Sequence, residues 1–136
     1  NGSTNAVDLS VGVANGTHAS DADSIAEHLL FHVDGGALDL LAQSKDGTTT
    51  VAATDTTKDV TAGSAVANRF ELWIDMRDPA DVQLYVDGVN VLPDTVFKLD
   101  AATGPLGLLV HLEKSSSTAT AGPVYVDRAI LRTAED

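Results

Sequence analysis

The sequence has no cysteine, one methionine, one tryptophan and only four prolines in 136 residues. Without thiols there is no disulfide, no thiolate nucleophile and no cysteine metal site, and the compartment stays open. Aromatic residues supply 4% of the chain while apolar residues reach 43%, so the core must be built from Val, Leu, Ile and Ala. Bases are scarce too: 8 Lys and Arg face 20 Asp and Glu, a net charge of −12. Duplex binding needs clustered Lys and Arg to neutralise phosphates, and no such cluster occurs, so nucleic acid is not an expected ligand. No run approaches the roughly 18 apolar residues of a membrane span, and no basic segment leads into an apolar one as in a signal peptide. No membrane partner is therefore expected. The chain opens at Asn1 rather than Met, so a processed or renumbered sequence is expected.

What is present fits one compact domain over residues 1–136. The most informative stretch runs from Arg69 to Leu92. Phe70, Leu72, Ile74 and Met76 alternate with Glu71, Trp73, Asp75 and Arg77, and Val82, Leu84 and Val86 alternate with Gln83, Tyr85 and Asp87. Period-2 alternation indicates antiparallel strands with one buried face. Asp87-Gly88 is a two-residue hairpin signal for a type I′ turn, which needs positive φ at both central positions. The register that follows pairs Val86 with Val89, Leu84 with Val91 and Tyr85 with Asn90.

The remainder reads the same way. Residues 1–25 form a polar arm or loop-rich segment holding one short strand over Val7–Val13, then a mobile loop through His18–Ser24. Residues 26–34 and 37–45 are read as a hairpin turning at Asp34-Gly35-Gly36, although the first has some helical propensity. The Thr- and Val-rich stretch 48–61 suggests two short strands. Residues 95–99 suggest another, Leu106–Lys114 a central one, and Pro123–Arg132 the last. About ten short strands with turns every 8–12 residues predict an all-β, antiparallel β-sandwich or jelly roll. No helix or internal repeat is expected.

Several chemistries are weighed against plainer explanations. Glu71 and Asp75 share a strand face but lie about 13 Å apart, beyond the roughly 5–9.5 Å that paired glycosidase carboxylates need. His28 and His32 are too far apart on a strand to share one metal. His-Glu-x-x-His is absent, and so are phosphate-loop and nucleophile-elbow patterns. The clusters Asp21/Asp23 and Asp75/Asp78 lack the EF-hand spacing and read as solvated turn aspartates. No catalytic residue, metal or cofactor is therefore assigned. Asn1-Gly2-Ser3 and Asn15-Gly16-Thr17 match the glycosylation sequon, a short pattern common by chance. The acidic excess makes a solvated surface, and a saline habitat or docking onto a basic partner remain open. Trp73 and Tyr85 point to the same polar side of neighbouring strands, with His111 a further candidate beside them. Such a strip would contact a protein partner or stack on sugar rings, or be covered by a second sheet or a loop.

Two long stretches carry a family resemblance. RDPADVQLYVDGVNVLPDTVFKL and AATGPLGLLVHLEKSSSTATAGPVYVDRAILRTAED resemble small structural proteins from the head-gene regions of tailed bacteriophages and prophages. The strand–Asp-Gly–strand element is general to concanavalin A-like (laminin G-like) jelly rolls, whereas the "DPADV…YVDGV" and terminal "VD…LRTAE" elements are more particular. The resemblance spans roughly Ala26 to the end. It implies a concanavalin A-like jelly roll acting as a head decoration, or cement, protein on the capsid exterior. The implied partners are the major capsid protein and further copies of the chain, as dimers or trimers, with the polar N-terminal arm reaching a neighbouring subunit. The alternative expectation is a carbohydrate-binding jelly-roll module of a phage tail or fibre, using Trp73 and Tyr85.

Overall fold

The computed structural model describes residues 7–33, 38–61, 69–114 and 124–132. Eight strands occur among them: β1 Val7–Ala14, β2 Glu27–Val33, β3 Asp39–Asp46, β4 Thr50–Asp59, β5 Leu72–Asp75, β6 Gln83–Val86, β7 Val89–Val91 and β8 Gly107–Lys114. They form a five-stranded sheet in the order β4-β3-β2-β1-β8 and a three-stranded sheet in the order β5-β6-β7, with every pairing antiparallel. The two sheets pack as an all-β, jelly-roll-like sandwich, as the alternating sequence predicts.

Alternation decides which side chains meet between the layers. Val13, Leu29, Phe31, Leu40 and Ala42 of the large sheet pack against Leu84, Val86 and Val91 of the small one. Val82, Phe97 and Leu99, on the connections, complete this core. Aliphatic side chains dominate it, as the shortage of aromatics requires.

The small sheet follows the expected register. Val86 pairs with Val89, Leu84 with Val91 and Tyr85 with Asn90. Asp87 and Gly88 have φ of 51° and 77°, the positive pair a type I′ turn demands. Asp87 also extends the ladder, because its N–H donates to the Glu71 carbonyl at 2.8 Å and its carboxylate accepts from the Glu71 N–H at 2.8 Å.

Five expectations need correction. Stretch 48–61 is one strand, β4, rather than two, because bulges absorb its irregular pattern. Residues 95–99 make only a single bridge, Val82 to Phe97, and are fastened instead by Leu99 N–H donating to the Pro79 carbonyl at 2.7 Å. Residues 124–132 carry no strand and are exposed. Leu106–Lys114 yields β8, which lies at the edge of the large sheet rather than at its centre, whereas the expected strand over Val7–Val13 is present as β1. The expected loop after β1 is also ordered around a 3-10 turn, Ala22–Ser24, whose Ala22 joins Ile25, Ala14, Leu30 and Leu109 in a second apolar cluster on the outer side of the large sheet. Residues 1–6, the Asp34-Gly35-Gly36 turn, the Ser/Thr loop after β8 and the first sequon lie outside the described residues.

Candidate functional site

The outward face of the small sheet is built by every second residue of β5, β6 and β7. Trp73 lies directly opposite Tyr85, Asp75 opposite Gln83, and Tyr85 opposite Asn90. Their inward neighbours Leu72, Ile74, Leu84 and Val86 are held in the core, so the hairpin cannot rotate this face away without exposing them. The Trp73 and Tyr85 ring centroids are 5.8 Å apart with the planes tilted by 43°. This is a favourable aromatic cross-strand geometry. Trp73 remains 60% exposed, which leaves a large apolar surface in contact with water.

A polar rim surrounds the pair. Arg77 forks onto Asp75, its Nε donating to Oδ1 at 2.9 Å and its Nη2 to Oδ2 at 2.6 Å. That guanidinium holds the Asp75 carboxyl below its usual range, and the carboxylate in turn raises Arg77. On the other side Asn90 donates to Gln83 Oε1 at 3.0 Å, and Gln83 donates to Asp81 Oδ1 at 3.0 Å. The result is an aromatic centre with a hydrogen-bonded border, the layout of a docking hot spot. Beyond the β7 edge an open cleft of about 360 Å³ lies against β4, lined by Thr56, Lys58, Val89, Asn90 and Asp94 among others.

His111 does not join Trp73 and Tyr85. It lies in β8 opposite Ser10, which lies opposite His32, a row on the outer side of the large sheet. Trp73 and Tyr85 occupy the outer side of the other layer, so the sandwich separates them from His111. Ser10 Oγ and His32 Nδ1 are 3.0 Å apart, but Ser10 is only 2% exposed and offers no approach to a substrate.

The other candidate clusters are engaged in structural bonds. Asp21 caps the 3-10 turn, accepting from Asp23 N–H at 2.8 Å and Ser24 Oγ at 2.9 Å. Asp23 accepts a hydrogen bond from Gln43, and Asp78 accepts from Ala80 N–H at 3.0 Å. His28 is buried with Nδ1 donating to the Ile25 carbonyl at 2.9 Å, and burial lowers its pKa. Among the described residues no three His, Asp or Glu side chains gather as a metal site.

Sequence reasoning passed over two buried carboxylates, Glu27 and Asp46, which face each other across β2 and β3. Glu27 accepts from Thr103 N–H, Gly104 N–H and Asn15 Nδ2, each at 2.8 Å, and from Thr103 Oγ1 at 3.1 Å. Asp46 Oδ1 accepts from Thr48 N–H at 2.9 Å and Thr49 N–H at 2.5 Å. These donors hold both carboxyls below their ordinary pKa, led by Thr103 N–H for Glu27 and Thr49 N–H for Asp46. Asp46 Oδ2 is buried without a hydrogen-bond partner among the described residues, whereas Glu27, with both oxygens taken by donors, is a loop anchor rather than a base or metal ligand. Its partners lie up to 77 residues away, which no local pattern reveals.

Comparison with known proteins adds no relative: no family model, no curated protein and no solved structure matches this chain.

Proposed function

We propose that the chain is a structural protein of a tailed-phage virion that docks on the capsid exterior and stabilises the assembled head. The observation that carries the docking role is the Trp73–Tyr85 platform, a rigid aromatic pair with Trp73 60% exposed inside a hydrogen-bonded rim. The phage assignment rests on the resemblance of the stretches from Arg77 to Leu99 and from Ala101 onward to head-region structural proteins. The net charge of −12 supports a basic partner surface, and the partner in this reading is the major capsid protein. Each site need contribute only modest affinity, because dimeric or trimeric display on a symmetric shell raises the apparent affinity by multivalency.

Sedimentation with emptied capsids of the cognate phage tests this reading. The wild-type chain is expected to co-sediment saturably. Trp73→Ala is expected to lose about 30-fold or more in site affinity, the value of a hot-spot residue worth at least ~2 kcal/mol. Absence of saturable binding at every ionic strength refutes the proposal. The same platform favours a second reading, a carbohydrate-binding module of a tail or fibre, since an exposed Trp beside Tyr can stack on sugar rings and Asp75, Gln83 and Asn90 can bond hydroxyls. Glycan binding abolished by Trp73→Ala, without capsid binding, selects that reading.

A further inference from the structure

The sandwich is covered unevenly. Leu108, Val110 and Leu112 of β8 lie opposite Val13, Val11 and Leu9 of β1, so they share the inward face that carries the core. Yet they are 52%, 47% and 41% exposed. The cleft lined by β4 and β7 places β7 near β4, so the small sheet extends from there and leaves its β5 edge on the side of β1 and β8. Inward-facing side chains of β8 thus lie past the last strand of the covering layer. One further strand beside β5 would cover them.

The chain supplies a segment of the right pattern next to that edge. Residues 124–132 have no strand partner, and Val124 and Val126 are 40% and 55% exposed. Asp127 already bonds Arg69, three residues before β5. An exposed ion pair alone is worth about 0–1 kcal/mol, too little to order a segment, but it selects a register.

We propose that Val124–Asp127, exposed and without a strand partner in this structure, closes as a fourth strand of the small sheet, antiparallel to Arg69–Leu72, over the apolar strip of β8. With Arg69 opposite Asp127, Phe70 faces Val126, Glu71 faces Tyr125 and Leu72 faces Val124. Side-chain parity then agrees on both strands. Phe70 and Leu72 already pack inward on the core, so Val124 and Val126 fall on that face while Tyr125 and Asp127 fall outside. Backbone parity agrees as well. Glu71 exchanges its hydrogen bonds with Asp87, towards β6, so Phe70 and Leu72 turn their N–H and C=O groups to the open edge. Arg69–Asp127 then becomes a non-hydrogen-bonded pair, the kind whose side chains approach most closely. This closure is a property of the fold and stands apart from the virion reading. It also removes an exposed sheet edge that would otherwise invite pairing with another chain.

The absence of native cysteine makes the register directly testable. Glu71→Cys with Tyr125→Cys, a non-hydrogen-bonded pair, is expected to form a disulfide within one chain under mild oxidation. Glu71→Cys with Val126→Cys, whose side chains point to opposite faces, is expected to stay reduced. Hydrogen exchange on the unmodified protein is the second measurement: Val124 and Val126 N–H groups should exchange at least about tenfold more slowly than those of Tyr125 and Asp127. Cross-linking between chains instead of within one, equal cross-linking of both pairs, or uniformly fast exchange over 124–127 overturns the proposal.

Discussion

Replacing Gly12 by Ala tests whether β1 is a central strand. A Cβ at position 12 would sit 2.1 Å from the Leu29 carbonyl oxygen and 3.0 Å from Leu30 Cα, both backbone atoms of the paired strand β2. Real Cβ atoms keep at least 3.0 Å from such neighbours, so the two strands must separate by most of an ångström. Overpacking of this kind costs about 3 kcal/mol, and loss of glycine's freedom in the unfolded chain offsets about 0.4–1 kcal/mol of that. The net is roughly 2 kcal/mol. With an unfolding entropy of about 2.1 cal/mol/K per residue, the 136-residue chain should lose about 7 °C in Tm. Gly16→Ala is the control, because nothing lies within 4 Å of its Cβ position, and its Tm should hold or rise slightly. Paired thermal melts followed by circular dichroism decide the matter. A Gly12→Ala protein melting within 1 °C of wild type (roughly 0.3 kcal/mol on the same entropy) would refute the packing of β1 against β2.

Other perturbations separate core from surface. Leu84→Ala empties a fully buried position of the inter-sheet core and should cost about 2–5 kcal/mol in urea denaturation. Trp73→Ala removes an exposed ring and should stay within about 1.5 kcal/mol of wild type, the value of its contact with Tyr85, so a loss of binding would be separable from unfolding. The His28 pKa lies below the ordinary imidazole value of about 6.5 in the folded protein, because burial disfavours the charged ring. The unfolded chain therefore takes up a proton first as pH falls, and Tm should decline below about pH 6.5. His28→Asn, which keeps a donor for the Ile25 carbonyl, should flatten that decline. Glu27 and Asp46 have pKa values below 4.5 and 3.8, so their contribution is complete above those values and lost as pH falls further. Glu27→Gln should shift the acid-unfolding midpoint, read by tryptophan fluorescence.

Much of the sandwich was legible because its signals are local. Asp87-Gly88 sets the turn, and the turn sets every pair from Leu84–Val91 to Val86–Val89. The same parity placed Trp73 beside Tyr85. Thr48 to Thr61 misled because β-branched residues continue through a strand that bulges, with Thr57 at a φ of 61°. Residues 95–99 look like a strand, yet Phe97 and Leu99 are buried as a connection by long-range bonds to Val82 and Pro79. His111 was misplaced because parity gives a face within one sheet and not which sheet a strand joins. Glu27 was invisible for a similar reason, since its donors come from Asn15 and Thr103 on separate loops.

Imaging of emptied capsids saturated with the protein shows whether it docks on the shell through the Trp73–Tyr85 face. Ordered density is expected at symmetry-related positions on the outer shell, with the Trp73–Tyr85 face of the small sheet turned towards the capsid and the density lost with Trp73→Ala. Bare shells at saturating protein, or molecules seated through the outer side of the large sheet with Trp73 facing solvent, would contradict the proposed docking.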